Sequence, residues 1–270
     1  MEKLLGLPID GSAHGPQLDH MTALVHWLML VLFVGWGSFF VYTLLRFRAG
    51  RNPKADYQGV RSHVSSWLEI GVALFEGFLL IGFAYPAWAK WVQVPPKEEN
   101  PLEIRVVGEQ FAWNVHYPGK DGIFGRTSPD LASTENGNPL GLDPKDPHGA
   151  DDIVATNQLH LPAGRPVVIY LSSKDVIHSF FLPYERVKQD AIPGQVVPIH
   201  FTPVLLTPPE SRFPDCAAKK DCWEIACAQL CGLGHYRMRG YLTVESPADF
   251  QKWLDDQAPK PAAATGAPAG

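Results

Sequence analysis

Charge is missing from one long stretch of this chain: between Met21 and Leu45 there is no Asp, Glu, Lys or Arg. Cysteine is scarce as well, with four in 270 residues, all between positions 216 and 231. No Cys-x-x-Cys-His run occurs, which excludes covalently attached haem c on this chain. Positive charge does not dominate: 23 Lys and Arg against 28 Asp and Glu leave a net charge of −5. That balance excludes strong nucleic-acid binding through bulk electrostatics and mildly favours a basic partner. The first twenty residues lack a basic segment leading into a short apolar core, so no cleavable signal peptide is expected.

What is present divides the chain in two. The uncharged run supports a helix over about 21–46, which at 1.5 Å per residue is enough to cross a hydrocarbon layer of roughly 30 Å. A second apolar run predicts a helix over about 67–91 that ends in the aromatic and basic cluster Trp88, Lys90 and Trp91. Between them lie Arg46, Arg48, Arg51, Lys54 and Arg61 against the single acid Asp56. The positive-inside rule makes that loop cytoplasmic, so both termini face the outer side of a bacterial inner membrane and the cysteines meet an oxidising compartment. The second helix carries Glu69 and Glu76, seven positions apart and so on roughly one face. From spacing alone, Glu69 reads equally as a proton-uptake group or as an interfacial acid at a helix start. Glu76 lies deeper and is expected to meet another subunit.

After a semi-rigid linker at Val94-Pro95-Pro96 the pattern turns short and alternating. Residues 1–94 are expected to form an N-terminal segment with a transmembrane helical hairpin, and 95–258 an all-β sandwich or Greek-key barrel. Strands are predicted at Leu102–Val107, Phe111–Tyr117, Pro166–Ser172, Val196–Thr202 and Gly240–Glu245. Residues 118–152 form a Gly/Pro/Asp-rich insertion, read as a solvated loop ahead of an acidic docking surface. Ser246 with Pro247 predicts the start of a short closing helix, and 259–270 is expected to be a disordered tail.

The chemistry is concentrated in Cys227-Ala-Gln-Leu-Cys231-Gly-Leu-Gly-His235-Tyr-Arg-Met238. Two thiols, an imidazole and a thioether within twelve residues are wrong for calcium or magnesium, and the thioether argues against zinc. Copper accepts all these donors. A mononuclear blue-copper site uses one cysteine, so a second cysteine four residues on points to two coppers bridged by two sulfurs. His178, in Asp175-Val-Ile-His178-Ser-Phe, supplies a second imidazole. The competing arrangement pairs Cys227 with Cys231 in a disulfide, which leaves His235 and Met238 without a purpose; a disulfide is expected for Cys216 and Cys222 instead.

These residues resemble cytochrome c oxidase subunit II from the first helix to about Val244. The specific part is the family's Cys-x-x-x-Cys-x-x-x-His-x-x-Met, present as Cys227, Cys231, His235 and Met238. The segment around His178 is similar to the family's first-ligand segment, and Lys188-Gln-Asp-Ala-Ile-Pro-Gly194 is a further signature. The resemblance implies a cupredoxin-like outer domain holding the dinuclear copper centre CuA. In that centre Cys227 and Cys231 bridge both metals, His178 and His235 each bind one, and Met238 and the main-chain carbonyl of Gln229 complete the set. It also implies subunit I and other oxidase subunits as partners, with the haems and CuB in subunit I, where O2 is reduced to water. Quinol oxidases of the superfamily lack these ligands, so cytochrome c or a similar small carrier is the implied donor.

The chain departs from the family in three places. Gln229 replaces a glutamate that also serves magnesium, which puts a magnesium site in question and leaves Asp190 as its remaining contributor. Phe111 stands where the family has the tryptophan through which electrons arrive, with Trp113 retained two residues on. Glu69 resembles the family's glutamate at the mouth of a proton channel, whereas Glu76 stands where a proline is usual. Two other assignments compete: the CuA-containing subunit of a nitric oxide reductase, and a membrane-tethered copper carrier.

Overall fold

The structure is a computed structural model that describes residues 5–54, 57–59, 62–92, 100–216 and 222–259. The linker at 94–96, the loop residues Asp56 and Arg61, and the tail beyond Pro259 lie outside the described residues. The chain separates into two units, one from Met1–Leu7 with Gln17–Gln93, the other from Pro8–Pro16 with Val94–Gly270.

Helix α1 runs Gly15–Arg46, with Gln17 onward in the first unit. It begins earlier than the uncharged run because Pro16 fits a first helical turn and polar Gln17, Asp19 and His20 are good company for exposed N–H groups. Its large apolar side chains, among them Val31, Phe33, Trp36 and Phe40, are exposed around the whole circumference, as a helix solvated by lipid requires. Helix α2, Val64–Leu79, continues through a π-helical turn, Leu80–Ala84, into α3, Tyr85–Val92. Pro86 explains the wide turn: it has no N–H to give, and the preceding Tyr85 N–H reaches back five residues to the Leu80 carbonyl. Both α1 and the continuous α2–α3 helix are long and apolar enough to span a membrane.

The second unit is a sandwich of two five-stranded sheets. The first has the order β3-β2-β1-β5-β8, from Ile153–Thr156, Ala112–Tyr117, Leu102–Glu109, Val167–Ser173 and Val197–Phe201. The second has the order β4-β10-β9-β6-β7, from Gln158–Pro162, Arg239–Glu245, Glu224–Cys227, His178–Leu182 and Val187–Ala191. β1 pairs parallel with β5 and antiparallel with β2. Strand alternation builds the core: Leu102, Ile104 and Val106 of β1 point inward while Glu103, Arg105 and Val107 do not. They meet Trp113, Leu159, Ile169, Phe180, Ile225 and Leu242, all fully buried or nearly so.

Pro8–Pro16 behaves as part of this unit. Gly11 N–H donates to the Tyr184 carbonyl at 2.7 Å, Val204 N–H to the Gly11 carbonyl at 2.7 Å, and Ala13 N–H to Thr202 at 2.9 Å. The insertion between β2 and β3 is better anchored than a solvated loop. Asp152, 6% exposed, accepts hydrogen bonds from Gly119 N (3.1 Å), Gly125 N (2.8 Å) and His116 Nε2 (2.6 Å). Helix α4, Pro247–Gln257, starts as the sequence predicts, with Ser246 Oγ accepting from Asp249 N at 3.1 Å. Cys216 and Cys222 are joined in a disulfide, as expected.

Candidate metal centre

The centre lies where two neighbouring strands end together. His178 opens β6, Cys227 closes β9, and the register pairs Phe180 with Cys227, which brings that thiol beside the imidazole two residues away. Ala228 N–H continues the ladder to the Ser179 carbonyl at 2.9 Å. The chain then leaves the sheet, returns with Cys231, and makes a 3₁₀ turn at His235–Arg237 that leads into β10.

Cys227 Sγ lies 4.0 Å from His178 Nδ1 and 3.8 Å from Cys231 Sγ. Cys231 Sγ lies 3.6 Å from His235 Nδ1 and 3.7 Å from Met238 Sδ. The Gln229 carbonyl oxygen is 3.2 Å from Cys227 Sγ. The sulfurs are far beyond the ~2.05 Å of a disulfide, yet closer than twice a metal–thiolate bond of about 2.3 Å, so one ion can touch both. Cys227 and Cys231 are the free cysteines, and with His178 they form the one cluster of His, Cys, Asp or Glu among the described residues that can hold a metal ion. His178, Cys231 and Met238 are buried and Cys227 is half-buried. A soft donor set of two thiols, two imidazoles, a thioether and a carbonyl fits copper.

The surroundings orient the ligands. Asp175 Oδ1 is 2.8 Å from His178 Nε2, which assigns the proton to Nε2 and turns the Nδ1 lone pair toward Cys227. Asp175 is itself held by Gln110 N (2.7 Å) and Val176 N (2.7 Å). Burial favours the neutral carboxyl, but His178 and these N–H groups outweigh it and lower the Asp175 pKa. His178 is likewise opposed by burial, and Cys227 and Asp175 together raise its pKa. The two thiols diverge. Burial opposes ionisation of Cys227, yet His178 and the backbone around Ser179 and Gln229 bring it down to about 6. Burial and the neighbouring Cys227 charge push Cys231 up to about 11. The metal-free pair therefore holds one proton near neutrality, and binding a metal through both sulfurs releases it.

Phe111 and Trp113 occupy different surroundings. Trp113 is fully buried, edge-on to His178 with ring centroids 5.9 Å apart, and forms an inner wall of the centre. Phe111 is half-buried against the ligand loop. A Cβ on Gly234 would fall 2.4 Å from Phe111 Cδ2, and one on Gly232 would fall 2.7 Å from Gln110 Nε2. Gly232, at φ +135°, is needed for conformation and space; Gly234, at φ −93°, only for space. Gln110 Nε2 also donates to the Cys231 carbonyl at 2.6 Å.

Asp190 is exposed on β7 opposite Ser179 and joins no group of potential ligands among the described residues. Glu69 is exposed in the second turn of α2, and Glu76 lies in its last turn, accepting the Leu80 N–H through its carbonyl. Asp175 and Gln110 were not singled out from the sequence. A carboxylate three residues before a ligand histidine was the available signal for the first; the second had none.

The family model for the periplasmic domain of cytochrome c oxidase subunit II matches residues 102–244. The alternative cytochrome c oxidase subunit 2 of Bradyrhizobium diazoefficiens is 32% identical over 241 residues, covering 89% of this chain and 80% of that protein. Cytochrome c oxidase subunit 2 of Thermostichus vulcanus is 40% identical over 152 residues, covering 56% of this chain and 32% of its own. Among solved structures, the periplasmic domain of cytochrome oxidase subunit II from Bradyrhizobium japonicum aligns over 61% of this chain and 96% of its own, with 24% identity and a TM-score of 0.40. A domain match across more than half of the residues, together with similarity that extends into the helical hairpin, means that the chain belongs to the cytochrome c oxidase subunit II family.

Proposed function

We propose that this chain is the electron-accepting subunit of a haem–copper oxidase, and that its metal centre is the dinuclear copper site CuA. Cys227, Cys231, His178 and His235 would hold the two metals, with Met238 and the Gln229 carbonyl completing the ligand set. The observation that carries this reading is the pair of free thiols 3.8 Å apart, each with its own imidazole, at 4.0 and 3.6 Å. When bound, two coppers sharing thiolates provide one delocalised electron-transfer site whose geometry changes little on reduction.

The chain's own residues do the positioning. β6 and β9 fix His178 and Cys227, Asp175 holds the imidazole in one tautomer, and buried Trp113, Phe180 and Met238 exclude water from the inner side. Electrons come from cytochrome c or a similar periplasmic carrier, with Phe111 on the receiving side, and pass to haem in subunit I. Oxygen chemistry belongs to that partner. The basic loop between the helices is cytoplasmic, both termini are periplasmic, and Glu69 stands at the mouth of a proton path. Asp190 is the remaining contributor to a magnesium site. Burial of Cys231 and Met238 favours this reading over a copper carrier, which must release its cargo.

The test is electron paramagnetic resonance of the detergent-purified full chain after copper loading. Hyperfine lines from one unpaired electron shared by two coppers are expected. A single-copper pattern overturns the dinuclear assignment, and selective zinc uptake overturns copper.

A further inference from the structure

The loop that supplies Cys231 and His235 turns apolar side chains outward. Leu233, between those two residues, is 98% exposed, and Tyr236, next to His235, is 83% exposed. A leucine left this far in water adds almost nothing to the stability of the fold. It stands on a continuous surface. The turn 232–234 rests on the Phe111 ring, with a Cβ on Gly232 falling 3.2 Å from Phe111 Cζ and one on Gly234 2.4 Å from Cδ2. The Arg237 guanidinium lies 5.7 Å from the centre of the same ring. Tyr236 and Arg237 then line a cleft of about 530 Å³ with Phe213 and Tyr241, whose rings stack at 4.4 Å.

The charge of this surface differs from that of the chain. The whole chain carries −5, yet residues 228–239 contain no acid and two arginines, Arg237 and Arg239. Arg239 is paired with Glu224 at 3.4 Å. Arg237 has no carboxylate partner among the described residues; its contact is the Phe111 ring. On the Phe111 side the nearby carboxylates are engaged, Glu109 with Lys174, and Asp175 with His178 and Gln110 N. A donor ringed by lysines therefore meets Arg237 and no free acid on the loop itself.

An exposed apolar patch with a polar margin has the anatomy of a protein contact. Electron transfer selects the occupant, because a donor must bring its own centre close to the ligands, and Leu233 and Tyr236 flank His235. We propose that this surface docks the electron-donating protein through an apolar face, with an acidic side chain of the donor, not a lysine, set against Arg237. The inference rests on the electron-accepting reading of the centre, while the contact itself needs no metal.

The probe is isotope-labelled mitochondrial cytochrome c, whose exposed haem edge is apolar and ringed by lysines, compared with the same protein after succinylation has made that ring acidic. Each is titrated with the reduced, metal-free, detergent-purified full chain, and binding is read from the nuclear magnetic resonance shifts of the labelled protein. Salt of about 0.3 M screens the bulk charge of the chain beyond roughly 6 Å and leaves the contact charges in play. Saturable shifts confined to the haem edge are expected, with the succinylated form binding more tightly by roughly threefold or more. Leu233→Ser should weaken binding by roughly tenfold, and Arg237→Glu should reverse the preference between the two forms. Near-UV circular dichroism checks that each variant is folded, and Tyr236→Ser replaces Leu233→Ser if that one is not. No saturable shift with either form, or affinity unchanged in the folded apolar variant, overturns the docking surface. Tighter binding of the unmodified cytochrome overturns the acidic partner for Arg237. Because no copper is present, these outcomes are separate from those of the resonance experiment that tests the centre.

Discussion

Asp175 Oδ1 stands 2.8 Å from His178 Nε2, on the side of the ring opposite the thiols. A carboxylate in this place sets the tautomer and raises the basicity of the nitrogen that meets a metal. Asp175→Asn keeps the shape but loses the charge. Copper affinity should fall by roughly 10–100-fold, measured by competition with a chelator of known strength. Unchanged affinity would remove Asp175 from the centre.

The two pairs of cysteines should separate cleanly by spectroscopy. If the proposed dinuclear centre holds, Cys231→Ser should abolish the shared-electron copper signal, because one of the two thiols proposed to hold both metals is gone. Cys216→Ser should leave that signal intact and lower thermal stability instead, by on the order of 2 kcal/mol for so short a loop. A lost copper signal in Cys216→Ser would contradict the assignment of roles.

Gly234 is constrained by Phe111 rather than by its own backbone, whose φ of −93° suits any residue. Gly234→Ala should therefore displace the ligand loop and broaden or weaken copper binding. Phe111→Leu in the same chain should restore part of it, since the clash is with the ring. A double variant no better than the single would show that the loop fails for another reason.

Glu185 is fully buried, and neither carboxylate oxygen has a hydrogen-bond partner among the described residues. Burial, reinforced by Asp10, raises its pKa to about 8, against the opposing pull of Arg186. An unfolded glutamate ionises near pH 4.3, so between there and about 8 the unfolded chain has lost a proton that the folded one keeps. Stability attributable to this group therefore falls as pH rises across that window. Glu185→Leu should stabilise the β domain more at pH 8 than at pH 5, by on the order of a few kcal/mol, read from its melting curves at the two pH values. An equal effect at both values would show that Glu185 does not titrate across that window.

Much of the centre was legible before any folding. Cys227, Cys231, His235 and Met238 lie within twelve residues, so their meeting needs only a tight loop, which the two glycines permit. The membrane helices were legible because runs of uncharged side chains announce themselves by length alone. Their starts were less so: α1 begins at Gly15, since polar residues and Pro16 extend a helix without any hydrophobic signal. Five strands escaped the pattern, β3, β4, β6, β7 and β9, each of four or five residues. Alternation over so few positions barely differs from chance.

What the sequence determined by itself was the supply of donors and their chemistry, because softness, charge and hydropathy belong to individual side chains. Only the tertiary structure decided which donors meet and what surrounds them. His178 comes from 49 positions away, delivered by the register of β6 on β9. Trp113 and Phe111, two residues apart, are sent respectively into the core and against the ligand loop. Asp175, three residues before His178, is held in place by Gln110 N from another strand end. Strand pairing is a cooperative property of the whole sheet, in which each contact is stabilised by its neighbours, and no local stretch contains that information.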